Sequence, residues 1–466
     1  MLTLLIAMRN LLRNRRRSLT TLSAMIIGAQ AVLIFGGFVS NIARGLETGY
    51  VQHSGHFQIQ RKGYFRYGAG DPTAYSIRDY QSVIERLRRD PALGPLLREV
   101  TPTLSVSGIA GNFEAGTSKP VAVWGGVVKD LDVMRQWDDY EFHIVDRPLA
   151  LLGTADDAAT VGEGVASMLQ LCAQLKVRGC EGSPARADTQ GAALPDDVAA
   201  LADQEMKGKR RGAAGSAGAM IELLAATAGG APNVAKLHVM KAERQGTKDA
   251  DDVALSMHLA AAQRLVFGNE PPGVTAILVQ LRHSAGMPAA RARLEALVSG
   301  NQNAEPLEVL DFGTLNPFYG QTIAMFNSIL GFIAAMIAVI VMFTVSNTMN
   351  MAIMERTVEI GTVRALGLRR AATLRLFLCE GALLGVTGAS LGVLCAFALS
   401  YAINHSGIGW LPPGGTVQIP ISVRVWGQYE MIATTFVGLV AVAAVSAWWP
   451  ARSAARMPIV DALRHA

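Results

Sequence analysis

Gly388-Ala389-Ser390-Leu391-Gly392 has the G-x-S-x-G spacing of a hydrolase nucleophile elbow. That elbow needs a sharp strand-to-helix turn to expose its serine, and here the five residues sit inside an apolar run from 373 to 402. Gly381, Gly385, Gly388 and Gly392 recur there at near-helical spacing, and small residues so placed let helices approach closely in a bilayer. The motif therefore reads as helix packing or subunit contact, with a membrane-bound hydrolase using Ser390 as the rival. No G-x-x-x-x-G-K-[ST] occurs, so no phosphate-cradling loop of that type is expected. No cofactor is expected on this chain; if ATP and Mg drive it, another polypeptide must bind them. His53 and His56 have no third metal ligand nearby and read as exposed polar residues. Asp249-Ala250-Asp251-Asp252 lacks the glycine and distal glutamate of a calcium loop and reads as a solvated face or turn. No Cys/His grouping has zinc-site spacing.

The other reactive side chains divide by location. Cys172 and Cys180 lie in the long polar block between the first two apolar runs. They could close a small disulfide loop there, a pairing that spacing alone does not settle. Cys379 and Cys395 lie within an apolar run and read as packing residues. Glu380 is an ionisable residue near the start of that run, where burial is costly; Arg375 or a second subunit could pair with it.

These residues must be positioned by a membrane scaffold. Half of the chain is hydrophobic, and a bilayer helix needs about 20 apolar residues. Four runs meet that length, at 19–40, 321–346, 373–402 and 428–449. Residues 1–18 read as an amphipathic helix, with Leu5, Met8 and Leu12 on one side and Arg9, Arg13 and Arg16 on another. A signal peptide is the rival there, but the run is long and no A-x-A site follows. Arginines cluster at the N-terminus, at 356–375 and at 452–464, whereas 403–427 holds only Arg424. By the positive-inside rule the first three segments are cytosolic, and the block 41–320 and the loop 403–427 lie outside. Lying against apolar spans, the arginines suit membrane lipid headgroups and not nucleic acid. Trp410, Trp426, Tyr429, Trp448 and Trp449 fall near span ends, and Pro450 is read as the stop of the last helix, before a tail at 450–466.

Between the second and third runs lies a polar link, 347–372, carrying Glu355, Arg356, Glu359 and Arg364. At helical spacing Ile353, Ile360, Val363 and Leu366 share a side, and the two glutamates and Arg356 lie away from it. One face would rest on the spans, and the other would offer charge to an aqueous partner.

The link's sequence, E-R-T-V-E-I-G-T-V-R-A-L-G at 355–367, resembles the MacB/FtsX-type permease of ATP-binding-cassette systems. Phe377-Leu378-Cys379-Glu380-Gly381 with Gly385, Gly388 and Gly392 is similar to that family's next span, and Pro450-Ala451-Arg452 through Arg464 to its tail. The resemblance implies that Glu355, Arg356, Glu359 and Arg364 dock on a separate cytosolic ABC ATPase dimer. Four spans are few for a pathway, so two permease chains, alike or different, are expected to associate; the resemblance also implies that motion is transmitted to an outer domain without cargo crossing the spans.

In the block 41–320, strands are expected at 55–60, 104–110, 120–124, 274–281 and 307–310, with helices near 77–87 and 289–298. The two strand–helix–strand units suggest a ferredoxin-like split arrangement, which the resemblance equates with a porter subdomain. Residues 160–235, rich in Ala and Gly, are read as an inserted sabre-like outer lobe with helices at 164–175 and 196–206 and a flexible loop at 208–218. The fold class expected is thus four transmembrane helices with an α+β periplasmic domain in a bacterial inner membrane. The function expected is a mechanotransmitting ABC permease moving lipoprotein or other envelope cargo. The alternatives are a drug or peptide efflux permease with a periplasmic adaptor or carrier and an outer-membrane partner, and a regulator of cell-wall hydrolases.

Overall fold

A computed structural model describes residues 7, 9, 15–68, 70–142, 148–177, 219–299, 305–411, 415 and 418–458. The amphipathic helix expected at 1–18 lies largely outside the described residues, as do Cys180, the helix expected at 196–206 and the loop at 208–218. The long elements are α1 (Arg15–Ser54), β1 (Phe57–Arg61), α2 (Tyr80–Arg89), β2 (Leu97–Asn112), β3 (Thr117–Gly126), α3 (Val128–Arg135), β4 (Ala158–Gly162), β5 (Ala219–Ala226), β6 (Pro232–Glu243), β7 (Ala254–His258), α4 (Leu259–Phe267), β8 (Ala276–Leu281), α5 (Met287–Ser299), β9 (Leu307–Asp311), α6 (Pro317–Glu355), α7 (Thr357–Ala365), α8 (Arg370–Asn404) and α9 (Tyr429–Arg456). They fall into two units. A helical one comprises 1–45, 318–410 and 420–466, and a second comprises 46–317 and 411–419.

In the helical unit four helices are long and apolar enough to cross a membrane: Ser18–Ser54, Pro317–Glu355, Arg370–Asn404 and Tyr429–Arg456. At roughly 1.5 Å per residue the first two, of 37 and 39 residues, each exceed about 55 Å, well beyond a hydrocarbon core of about 30 Å. The apolar runs 19–40 and 321–346 are therefore the middles of longer helices. Residues 41–54 continue the helix into the start of the second unit, because Arg44, Glu47 and Gln52 mark where apolar character ends without breaking the helix. Met25, Ala29, Val341, Val345, Met349, Leu384, Ala389, Ala443 and Ala447 form one buried apolar cluster drawn from all four helices. A hydroxyl pair joins two of these helices, Thr21 Oγ1 to Thr348 Oγ1 at 2.7 Å. The connection after α8 folds back on the bundle: Val423 N donates to Asn404 Oδ1 at 2.7 Å, and Ser400 Oγ donates to Val423 O at 2.7 Å.

Pro450 does not end α9; the helix continues to Arg456 with the proline buried inside it. Proline removes one helical donor, but in a bundle that loss is tolerated where neighbours and local adjustment satisfy the freed carbonyl.

The second unit is built on a nine-stranded sheet. Its edge runs β9-β1-β8-β2, all antiparallel. α2 follows β1 and α5 follows β8, close to the positions expected from periodicity. Asp90, at the end of α2, receives Arg293 of α5 at 2.6 Å and caps the N–H groups of Ala92 and Leu93. The guanidinium holds the carboxyl down to about 2. The remainder departs from the sequence reading. Long β2 pairs with β8 over Leu97–Thr103 and then with β3 over Thr103–Asn112, and its far end also takes β5. The order β2-β3-β7-β4-β6-β5 returns to β2, so six strands close a barrel. The β3–β7 and β4–β6 pairs are parallel and the others antiparallel. Residues 160–162, 219–226 and 232–235, assigned to an outer lobe, are therefore parts of barrel strands. The helix expected over 164–175 is two short pieces, Glu163–Met168 and Cys172–Leu175, separated at Gln170, which has φ +56°. Cys172 is disulfide-bonded.

His56, read as exposed, is fully buried. Asp251, read as solvated, is also buried, and its carboxylate accepts from Gln245 N.

Candidate functional site

The link between α6 and α8 is a short helix between two breaks. α6 ends at Glu355, and Arg356 leaves helical geometry with φ −113° and ψ 15°. Thr357 Oγ1 donates back to the carbonyls of Ile353 (3.1 Å) and Met354 (2.9 Å), the local side-chain competition that bends helices. α7 then runs to Ala365. It stops at Gly367, whose φ of +101° is open to glycine and strained for other residues. Gly367 N donates to Arg364 O at 3.1 Å and Leu368 N to Val363 O at 3.2 Å. Together these bonds close the helix with a Schellman motif.

Three anchors hold α7 to the bundle. Ile353 and Ile360 pack with Leu374, Phe377, Ala451 and Ala454 from α8 and α9. Arg364 Nη1 donates to the carbonyl of Met457. Arg356 turns inward, and its Nη1 lies 3.3 Å from Glu380 Oε1, with 7% and 3% of the two side chains exposed. Two charges so deeply shielded persist only because they are paired. Arg375, the partner considered from the sequence, is exposed. Five residues from Glu380 on one helix, it points about 140° away.

The four link residues therefore divide. Arg356 and Arg364 are structural anchors within the chain. Glu355 and Glu359 are exposed. They share the outer surface with Met354, Val358, Val363 and Leu366, the last 83% exposed. Val363 and Leu366 were expected on the covered face. Gly367 ends the helix one residue later and turns the chain away, so Leu366 has nothing to pack on. The exposed surface is a mixed acidic and apolar patch.

The glycines of α8 face helices of the same chain. A Cβ on Gly381 would fall 2.5 Å from Ala447 Cβ, and on Gly385 3.1 Å from Ala443 Cβ, both on α9. On Gly388 it would fall 2.8 Å from Met25 Cβ, and on Gly392 2.4 Å from Ala29 Cβ, both on α1. Ser390 lies in mid-helix and is exposed, without the turn that an elbow requires. Cys379 and Cys395 are free thiols. The Arg356–Glu380 pairing is what sequence reasoning missed. Both residues were singled out, but nothing in their spacing of 24 positions announces the contact.

Residues 331–459 match the FtsX-like permease C-terminal family. The macrolide export ATP-binding/permease protein MacB of Rhodopirellula baltica is 29% identical over 213 residues, which cover 45% of this chain and 28% of that protein. The ABC transporter permease YtrF of Bacillus subtilis is 34% identical over 145 residues, 29% of this chain and 31% of that one. The chain thus aligns with under a third of the length of these relatives. Among solved structures, the periplasmic region of MacB from Actinobacillus actinomycetemcomitans overlaps 57% of this chain and 94% of its own length, at 12% identity and a TM-score of 0.32.

Proposed function

We propose that this chain is a permease of the MacB/FtsX type of ABC transporter, as the match over residues 331–459 and the MacB likeness support, and that it transmits ATP-driven motion of a separate ATPase to its second unit. The observation that carries the reading is the outward face of α7, where exposed Glu355 and Glu359 are flanked by exposed Val358, Val363 and Leu366. That face is held on a helix anchored by Arg356–Glu380 and Arg364–Met457. An ATPase dimer docked on two such faces, one from each of two associated chains, would push directly on the ends of α6 and α8. The arginines at 364–375 and 452–456 lie at the same end of the helices as α7, which supports a cytosolic link and a second unit in the periplasm of a bacterial inner membrane.

We read the edge sheet β9-β1-β8-β2 with α2 and α5 as a ferredoxin-like split unit. The cargo reading is a lipoprotein or other envelope substrate moved by that unit. In support, the largest buried cluster shared by the four long helices is apolar, which suits packing better than a polar conduit.

The test is co-purification of the full-length chain with its co-expressed ATPase. Replacing Glu355 and Glu359 by lysine should abolish the complex while membrane insertion persists. Undiminished ATPase on the double variant would remove α7 from the docking surface.

A further inference from the structure

Residues 46–56, within the second unit, carry the end of α1 and the turn into β1. A helix end leaves carbonyls without intrahelical partners and tends to fray. This one is tied down from outside. Gln280 on β8, fully buried, donates from Nε2 to Val51 O at 3.1 Å and to Met134 O at 2.9 Å. Gln52 donates from Nε2 to Trp137 O at 2.8 Å. Trp137 is buried, donates from Nε1 to Arg282 O at 3.1 Å, and meets the His56 ring edge-to-face at 5.0 Å. Gly55, with φ +73°, makes the turn, and a Cβ there would fall 2.7 Å from Val279 O.

The direction of the next bonds follows from the neighbours. His56 Nδ1 lies 3.0 Å from the N–H of Leu281 and must accept it. The ring proton therefore sits on Nε2 and is donated to Ser284 Oγ at 3.1 Å. The Ser284 hydroxyl hydrogen is then directed to Glu47 Oε1 at 2.5 Å. Asp139 braces the same corner, with Oδ2 accepting from Ser284 N at 3.1 Å and Oδ1 2.6 Å from His283 Nδ1. This polarity excludes a hydrolytic serine: a general-base histidine accepts the serine proton, whereas His56 donates to it.

We propose that the relay Leu281 to His56 to Ser284 to Glu47, with Gln280 and Gln52 beside it, is a latch that makes the end of α1 and the β8 edge of the sheet one rigid body. The latch extends the force-transmission reading, since a stiff joint would turn the sheet where a loose one would fray. Its rigidity can nevertheless be measured without any partner.

The experiment is amide hydrogen exchange on the full-length chain in detergent, comparing wild type with Ser284→Ala, Gln280→Leu, Glu47→Gln and Glu47→Leu. Opening of a local unit appears as faster exchange confined to that unit. Ser284→Ala, Gln280→Leu and Glu47→Leu are expected to speed exchange in residues 47–58 and 134–140 roughly ten-fold, with β5 and β7 unchanged. Glu47→Gln keeps an acceptor oxygen for Ser284 and should stay near wild type. Unchanged exchange in all variants, or equal acceleration throughout the second unit, overturns the latch. Should Gln280→Leu fail to fold, equal exchange in Glu47→Gln and Glu47→Leu overturns it alone. Ser284→Ala should still co-purify with the ATPase, so a failure of docking at α7 and a failure of the latch register in different assays.

Discussion

Arg356 and Glu380 form an ion pair at 3.3 Å in which both side chains are almost wholly shielded from solvent. One comes from the break before α7 and the other from the third turn of α8, so the pair sets where the link helix starts. Removing one partner strands the other charge in a site it cannot leave. Arg356→Met or Glu380→Ala should each destabilise the helical unit by about 3–5 kcal/mol. The double variant Arg356→Met/Glu380→Leu should recover much of that loss, because two apolar side chains can fill the site without a charge. Thermal unfolding of the detergent-purified chain checks this, and equal losses for single and double variants would contradict it.

Gly392 admits no side chain, because a Cβ would lie 2.4 Å from Ala29 Cβ and 3.3 Å from Ile26 O on α1. Backbone and a methyl group cannot move aside as a flexible chain end could. Gly392→Val should force α8 away from α1 at a cost of about 1–3 kcal/mol. Ser390→Ala, two residues away on the exposed side of α8, should leave stability and function unchanged. Unfolding midpoints for the two variants in one detergent make the comparison, and loss of an esterase activity on Ser390→Ala would revive the hydrolase reading.

The parts of this protein that sequence made legible are those governed by local periodicity. Four apolar runs became four long helices, and the strand–helix–strand stretches near the two ends of the second unit lie where alternation and helical spacing put them. The barrel was opaque for a physical reason. β4 is Ala-Ala-Thr-Val-Gly and buried on both faces, so it shows no alternation. β5 alternates in burial, but its Ala-Met-Ile-Glu-Leu-Leu-Ala-Ala sequence is largely apolar on both faces and sits in an Ala-rich setting, so it read as filler. Helix ends were misjudged where polarity was taken for termination, as at Arg44–Ser54, and where proline was taken for a stop at Pro450. In the link, charge suggested exposure, yet Arg356 is buried, because only the position of Glu380 24 residues later decides its direction. The latch residues were invisible for the same reason: Glu47 and Ser284 lie 237 positions apart.

His56 should make the second unit acid-sensitive in a defined window. Burial is the larger cause and lowers its pKa from 6.5 to about 4, with the Asp139 carboxylate pulling partly the other way. The neutral ring is the one the fold requires, since Nδ1 must stay free to accept from Leu281 N–H. Between these two values the unfolded chain binds a proton that the folded one refuses, so stability rises with pH there. The contribution is fully present above about 6.5, is lost as pH falls toward 4, and amounts to about 3 kcal/mol in order of magnitude. His56→Gln, which can still accept and donate, removes the titration. Denaturant unfolding of the second unit, followed by Trp137 fluorescence from pH 7 to pH 4, should show a steep slope in wild type and a shallower one in His56→Gln. Parallel slopes would mean that His56 is not the group that charges on unfolding.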